Sequence, residues 1–167
     1  MMQDKNNIPK LIKVLRDLER MHVEVGIFGE NDSQILIIAG VHEFGAKIQV
    51  TPKMRNFLHS IGIHLRKETE AINIPERSFI RAGFDENVSK IQQQAEILID
   101  DVLSLKIGAK AFYEALGGAV VSMFQDYLTE ISSPPLSSVT IERKGSSNPL
   151  IDTGRLRQAI TYRVVSG

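Results

Sequence analysis

The 167-residue sequence predicts an α+β fold: a small antiparallel or mixed sheet packed against two long helices, with an N-terminal helix and exposed loop and hairpin excursions. Three observations predict it. Val88, Ile91, Ala95, Leu98, Val102 and Leu105 step by three and four residues, and Phe112, Leu116, Val120, Met123, Tyr127 and Ile131 follow at near-heptad steps. Gly108 breaks the pattern between them, so the two stripes read as an antiparallel helix pair joined by a short turn. His22 to Phe28 places Val23, Val25 and Ile27 at alternate positions, as a strand with one buried face requires. The stretch NPLIDTGRLRQAITYRV then carries turn, cap, helix and strand signals in order, so Asn148 to Val164 is structured and completes the sheet.

Taken in order, the first element is a helix with Ile8, Leu11, Ile12, Leu15 and Leu18 on one stripe, Pro9 in its first turn, and its end near Met21. After the strand closed by Gly29, SQILIIAGVHEFG has a cap candidate in Asp32-Ser33 and a stop in Gly45, which predicts a buried helix over a strand. Lys47 to Val50 suits a short strand. Met54, Phe57, Leu58 and Ile61 suggest a short helix, and Ile63 to Lys67 with Ala71 to Ile74 an exposed hairpin, so residues 52–73 read as an exposed excursion. The two long stripes contain fewer than four clean heptads, so each is expected to pack on the sheet of its own subunit rather than in a coiled coil between subunits. Residues 132–149 are rich in Ser, Pro and Gly and read as a long surface loop, with a short strand at Val139 to Arg143. At this length the chain fits one domain, 1–167, able to bury roughly two thirds of its unfolded surface.

Composition excludes several functions. The chain has no cysteine, which removes disulfides, thiolate zinc sites and cysteine nucleophiles and suits a reducing cytoplasm. Its longest apolar run, Ile35 to Ala39, is far short of the roughly 20 residues that span a bilayer, so no membrane partner is expected, and the N-terminus lacks a signal-peptide core. Twenty basic and twenty acidic residues balance, against the strongly basic surface of a bulk nucleic-acid binder. The charge is uneven, however. Lys53 to Arg81 carries six basic and three acidic residues, Asp85 to Asp101 one and five, and Ile141 to the end five and two. Opposite signs on one neutral chain suit self-association, and the candidate interface residues are Lys53, Arg55, Arg66, Lys67, Arg143 and Lys144.

No catalytic constellation emerges. His42-Glu43 opens like a zinc-protease HExxH, but the second histidine would fall at Ala46. His59 and His64 are five apart across Gly62, which is not a helical ligand spacing, and Asp100 and Asp101 would point about 100° apart on a helix. Gly117-Gly118 lies in an apolar stripe and reads as close helix packing rather than a phosphate loop. Arg143-Lys144-Gly145-Ser146 reads as a basic solvent loop. The expectation is a protein that is not an enzyme and needs no cofactor and no metal.

Three stretches in order, HEFG (His42 to Gly45), IPERSFIR (Ile74 to Arg81) and PLIDTGRLR (Pro149 to Arg157), give most of the chain a likeness. It resembles the tail-completion and neck proteins of tailed bacteriophages and prophages, grouped with virion morphogenesis and head–tail joining proteins. The resemblance implies a structural virion protein that joins the tail to the head connector, or alternatively a tail terminator that caps the tail tube. It implies a homo-oligomeric ring in the particle, with tail tube or terminator and head connector or stopper as partners, made in the host bacterial cytoplasm. The motif residues it marks as structural are His42, Glu43, Phe44, Gly45, Pro75, Arg77, Phe79, Asp152, Thr153, Gly154, Arg155 and Leu156, while Pro52 to Asn73 looks like an insertion. A nucleic-acid-binding accessory factor or a hydrolase is the contrasting class. Within PLIDTGRLR, Leu150 and Ile151 are expected to be buried, Asp152 or Thr153 to cap a short helix, and Gly154 to permit close approach.

Overall fold

In the computed structural model, which describes residues 6–30, 32–136, 140–142 and 148–167, helices and strands follow one another along the chain. They are α1 (Ile8–Arg20), β1 (Met21–Ile27), α2 (Ser33–Phe44), β2 (Ala46–Gln49), α3 (Pro52–Ser60), β3 (Ala71–Ile74), α4 (Arg81–Leu103), α5 (Ala109–Glu130), α6 (Arg155–Ala159) and β4 (Ile160–Ser166). The fold is α+β, as expected.

Helix α5 is the spine. Phe112, Leu116, Val120, Phe124 and Leu128 are its buried apolar stripe, packed with Phe79, Val102, Leu156 and Ile160. A step of four residues advances about 400°, so this stripe winds around the helix instead of running straight along it. It therefore leaves the expected heptad line after Val120, and Met123 and Tyr127 are only half-buried, on the side toward α4. Gly83 of α4 lies against Tyr127 and Phe124, which sets the start of α4 beside the end of α5 and makes the pair antiparallel. The other face of α5 carries β1 and β4. At Gly117 a Cβ would sit 2.6 Å from Tyr162 and 2.8 Å from Val23, so the sheet approaches where only glycine fits; Gly118, expected to do the same, has nothing nearer than 4.0 Å.

The strands form two separate antiparallel ribbons. β1 pairs with β4 from Met21↔Ser166 to Ile27↔Ile160, and β2 pairs with β3 from Ala46↔Ile74 to Gln49↔Ala71. The expected hairpin of Ile63–Lys67 with β3 does not form. Gly45 at φ +69 turns the chain out of α2 into β2, and β2 takes the place beside β3 that residues 63–67 were expected to fill. The carbonyls of Leu65, Arg66 and Thr69 go to one guanidinium, that of Arg55, at 3.3, 2.8 and 2.6 Å. With α3, capped by the Thr51 hydroxyl on the Met54 N–H, the β2–β3 ribbon forms an arm that stands off from the rest of the molecule.

Four further expectations change. α4 begins at Arg81, ahead of the stripe that starts at Val88, and ends at Leu103, because Leu105 adopts a left-handed φ of 56°. On α1 the packed side is Leu11, Val14 and Leu18, while Ile8, Ile12 and Leu15 are exposed. α2 is helical but not buried: only Ile35, Ala39 and Glu43 face inward, and Ile37 is 68% exposed. The run 140–142 is helical where a strand was expected; the rest of that stretch lies outside the described residues.

Candidate functional site

The first two motifs meet at one carboxylate. Ala46↔Ile74 pairing returns the chain past the end of α2, so IPERSFIR crosses HEFG. Gly45 has no room for a side chain there, since a Cβ would stand 3.0 Å from Glu76 N and Ile74 O. Glu43, 6% exposed, accepts from Ser78 Oγ at 2.7 Å, from the backbone N–H groups of Phe79, Ile80 and Arg81 at 2.8, 3.0 and 3.0 Å, and from Arg81 Nε at 3.1 Å. α4 has no side-chain cap at Ile80 and no acidic residue in its first turn, so Glu43, from another helix, satisfies its orphan donors and complements its dipole. Burial pushes the Glu43 carboxyl up, but the bonds from Ile80, Ser78, Arg81 and Phe79 together outweigh it and hold the group below its ordinary value. Arg81 also donates to the Glu43 carbonyl and to Glu76, and its guanidinium lies 4.8 Å from the exposed Phe44 ring.

Arg77 extends the clamp. Its N–H donates to the His42 carbonyl at 2.8 Å, and its buried guanidinium donates to the carbonyls of Pro134 and Pro135. Burial lowers its pKa from the usual arginine value. The loop after α5 is thus tethered where it leaves the helix. Pro75 is exposed at the turn out of β3, and Phe79 is fully buried beneath the clamp.

The third motif packs on the other side of α2. Asn148 Oδ1 accepts from the N–H groups of Leu150 and Ile151, and its Nδ2 donates to Thr129 at the end of α5. Leu150 and Leu156 are buried, and Ile151 is half-buried against the core. Arg155 pairs with Asp32, the N-cap of α2, at 2.6 Å. That bond, helped by the N–H groups of Ile35 and Gln34, lowers the Asp32 pKa against a smaller effect of burial. Asp152 and Thr153 do not cap α6: the N-cap is Gly154, with no side-chain bond and φ +77. Glycine is there for its backbone angle, not for close approach, since a Cβ would meet only Gln158 at 3.7 Å.

The charged candidates divide. Lys53, Arg66 and Lys67 are exposed on the arm, but Arg55 is structural, holding the three loop carbonyls; Arg143 and Lys144 lie outside the described residues. His59 and His64, apart in sequence, meet with Nδ1 atoms 2.7 Å apart, one donating and one accepting. Among the described residues no group of three or more His, Asp or Glu side chains is placed to hold a metal, and no helix is long and apolar enough to cross a membrane.

A groove of about 580 Å³ opens between β1 and the start of α4, floored by α5. It is lined by Val23, Val25, Phe84, Leu116, Val120 and Phe124, with Asp85 at its rim. Beside it a polar cleft gathers Glu86, Asp126, Tyr127 and Glu130, and burial, then Glu86 and Asp85, raises the Tyr127 hydroxyl pKa. Sequence reasoning passed over Arg81, Ser78, Asn148 and Phe84. Arg81 had a signal, four residues after Arg77 in the same motif; Phe84 had none, because α4 begins ahead of its clean stripe. The chain matches no protein-family model, no curated protein and no solved structure among those compared.

Proposed function

We propose that this chain is a structural component of a bacteriophage or prophage neck, completing the tail where it joins the head connector, as one subunit of a homo-oligomeric ring. The supporting observation is how the motif residues are used. Glu43, Arg77 and Arg155 each bond groups of another element, so the three stretches that carry the resemblance brace one scaffold. An active site would leave such groups facing a cleft with unsatisfied chemistry. What remains exposed is an arm, a groove and patches of opposite charge, features suited to docking. On this reading the protein is not an enzyme, its partners are virion proteins, and it is made in the host cytoplasm before incorporation.

The test is genetic and structural together. A phage or prophage deleted for this gene should produce heads and tails that fail to join, and supplying the protein in trans should restore particles whose neck images contain an added ring. Normal, infectious particles from the deletion would overturn the proposal.

A further inference from the structure

We infer that the arm of one copy docks in the groove of the next copy, so that the ring in the proposed function, on which this inference rests, closes through a head-to-tail contact. α3 carries Lys53 and Phe57 four residues apart, hence along one side, with Ile61 at its C-cap, and Phe57 is 61% and Ile61 42% exposed. Isolating a large aromatic and an isoleucine on a protruding segment gives them nothing to pack against in their own chain. The groove has the complementary lack. Val23 and Val25 are only half-buried along it, above the buried Leu116 and Val120; among the described residues no further strand or helix lines it, and Phe84 stands 47% exposed at its edge. Its volume falls within the roughly 300–1,000 Å³ of sites that bury a bound group.

Charge selects the same occupant. From Ala46 to Ile74 the arm carries five basic residues against two acidic, with Lys53, Arg66 and Lys67 exposed. Exposed Asp85 lines the groove, with exposed Glu86 next to it at the start of α4, while Arg81, which also lines it, is held by Glu43 and Glu76. A basic arm with an apolar plug and an apolar groove with an acidic edge at Asp85 and Glu86 are matching halves on one chain. Because the halves are different surfaces, the contact is heterologous: each copy donates its arm to one neighbour and receives an arm from the other, the geometry that generates rings. A single plug makes a weak contact, and ring closure adds the avidity.

The experiment uses the full chain, with sedimentation velocity over a range of concentrations. Wild type should self-associate. Phe57→Asp in the arm and Phe84→Glu at the groove should each raise the dissociation constant by about tenfold or more, the effect expected for removing one large apolar side chain from a contact. Circular dichroism checks that each stays folded, and Asp85→Lys with Glu86→Lys serves as a second groove variant at positions outside the core. The decisive measurement mixes the two defective proteins. The Phe57→Asp copy keeps its groove and the Phe84→Glu copy keeps its arm, so the mixture should form a one-to-one dimer and nothing larger. A wild type that stays monomeric throughout, a Phe57→Asp protein that assembles like wild type, or a mixture that stays monomeric each overturns the inference. Failure of this contact in solution leaves the neck role to be judged by complementation, and an intact contact with normal particles from the gene deletion would sink the neck role alone.

Discussion

Replacing Glu43 by alanine should destabilise the fold more than any other single change to a charged residue. The carboxylate accepts five hydrogen bonds, three of them from backbone N–H groups at the start of α4, next to the fully buried Phe79. A buried donor left without a partner costs about 1–3 kcal/mol, and removing one member of a buried charge pair about 3–5 kcal/mol. Arg81 is half-exposed and recovers water, so a loss of about 3–5 kcal/mol for Glu43→Ala is expected against a typical total of about 5–15 kcal/mol. Glu43→Gln keeps an acceptor oxygen but turns an N–H2 toward the same donors, and should lose about half as much. The assay is urea unfolding of the full chain followed by circular dichroism. Its pH dependence is the sharper check. Because the folded carboxyl titrates below its ordinary value of 4.5, its contribution is fully present above that value and fades as pH falls through the folded pKa. The gap between wild type and Glu43→Gln should therefore be constant near neutrality and shrink in acid below 4.5. An alanine variant with an unchanged midpoint, or a gap that stays constant into acid, would refute the clamp as the source of stability.

Two further outcomes separate close packing from its absence and arm from body. Gly117→Ala should cost about 1–3 kcal/mol by forcing a methyl into Tyr162 and Val23, whereas Gly118→Ala, in open space on the same helix, should be neutral or stabilise by up to about 1 kcal/mol; paired thermal melts decide it. Arg55→Ala should release the carbonyls of Leu65, Arg66 and Thr69, speeding amide exchange across residues 63–70 while leaving exchange in α4 and α5 unchanged; uniform acceleration would show that the arm is not an independent unit.

Elements whose signals are local were legible. Asp32 caps α2 and Pro9 lies in the first turn of α1, each where the sequence placed it, and the strands at Val23 to Ile27 and after Ile160 fall in one sheet. What could not be read were partnerships across distance. Residues 63–67 alternate well enough for a strand, but pairing is decided by which segment Gly45 delivers to Ala71–Ile74, and that is β2. A helix with a long apolar run such as Ile35 to Ala39 of α2 reads as buried because most are; here the chain supplies cover for one side only. Arg55 counted as a surface charge because its partners are carbonyls, which sequence does not display. Glu43 was marked as structural by the motif likeness alone: its value lies in donors more than thirty residues away, which no spacing rule connects.

A nascent chain makes β1 long before it makes β4, and among the described residues β1 has no other strand beside it. At about 5–20 residues per second the wait is on the order of ten seconds, during which Val23 and Val25 lack the ribbon that Tyr162 and Val164 complete. The equilibrium penalty is small, because closing a longer loop adds only about 0.6 kcal/mol per doubling of its length. The kinetic penalty is larger: the α4–α5 hairpin, whose partners are adjacent in sequence, forms first and the terminal ribbon last. Folding therefore finishes only after β4 has been made, and stopped-flow refolding should show helical signal recovering before the environment of Tyr162 does.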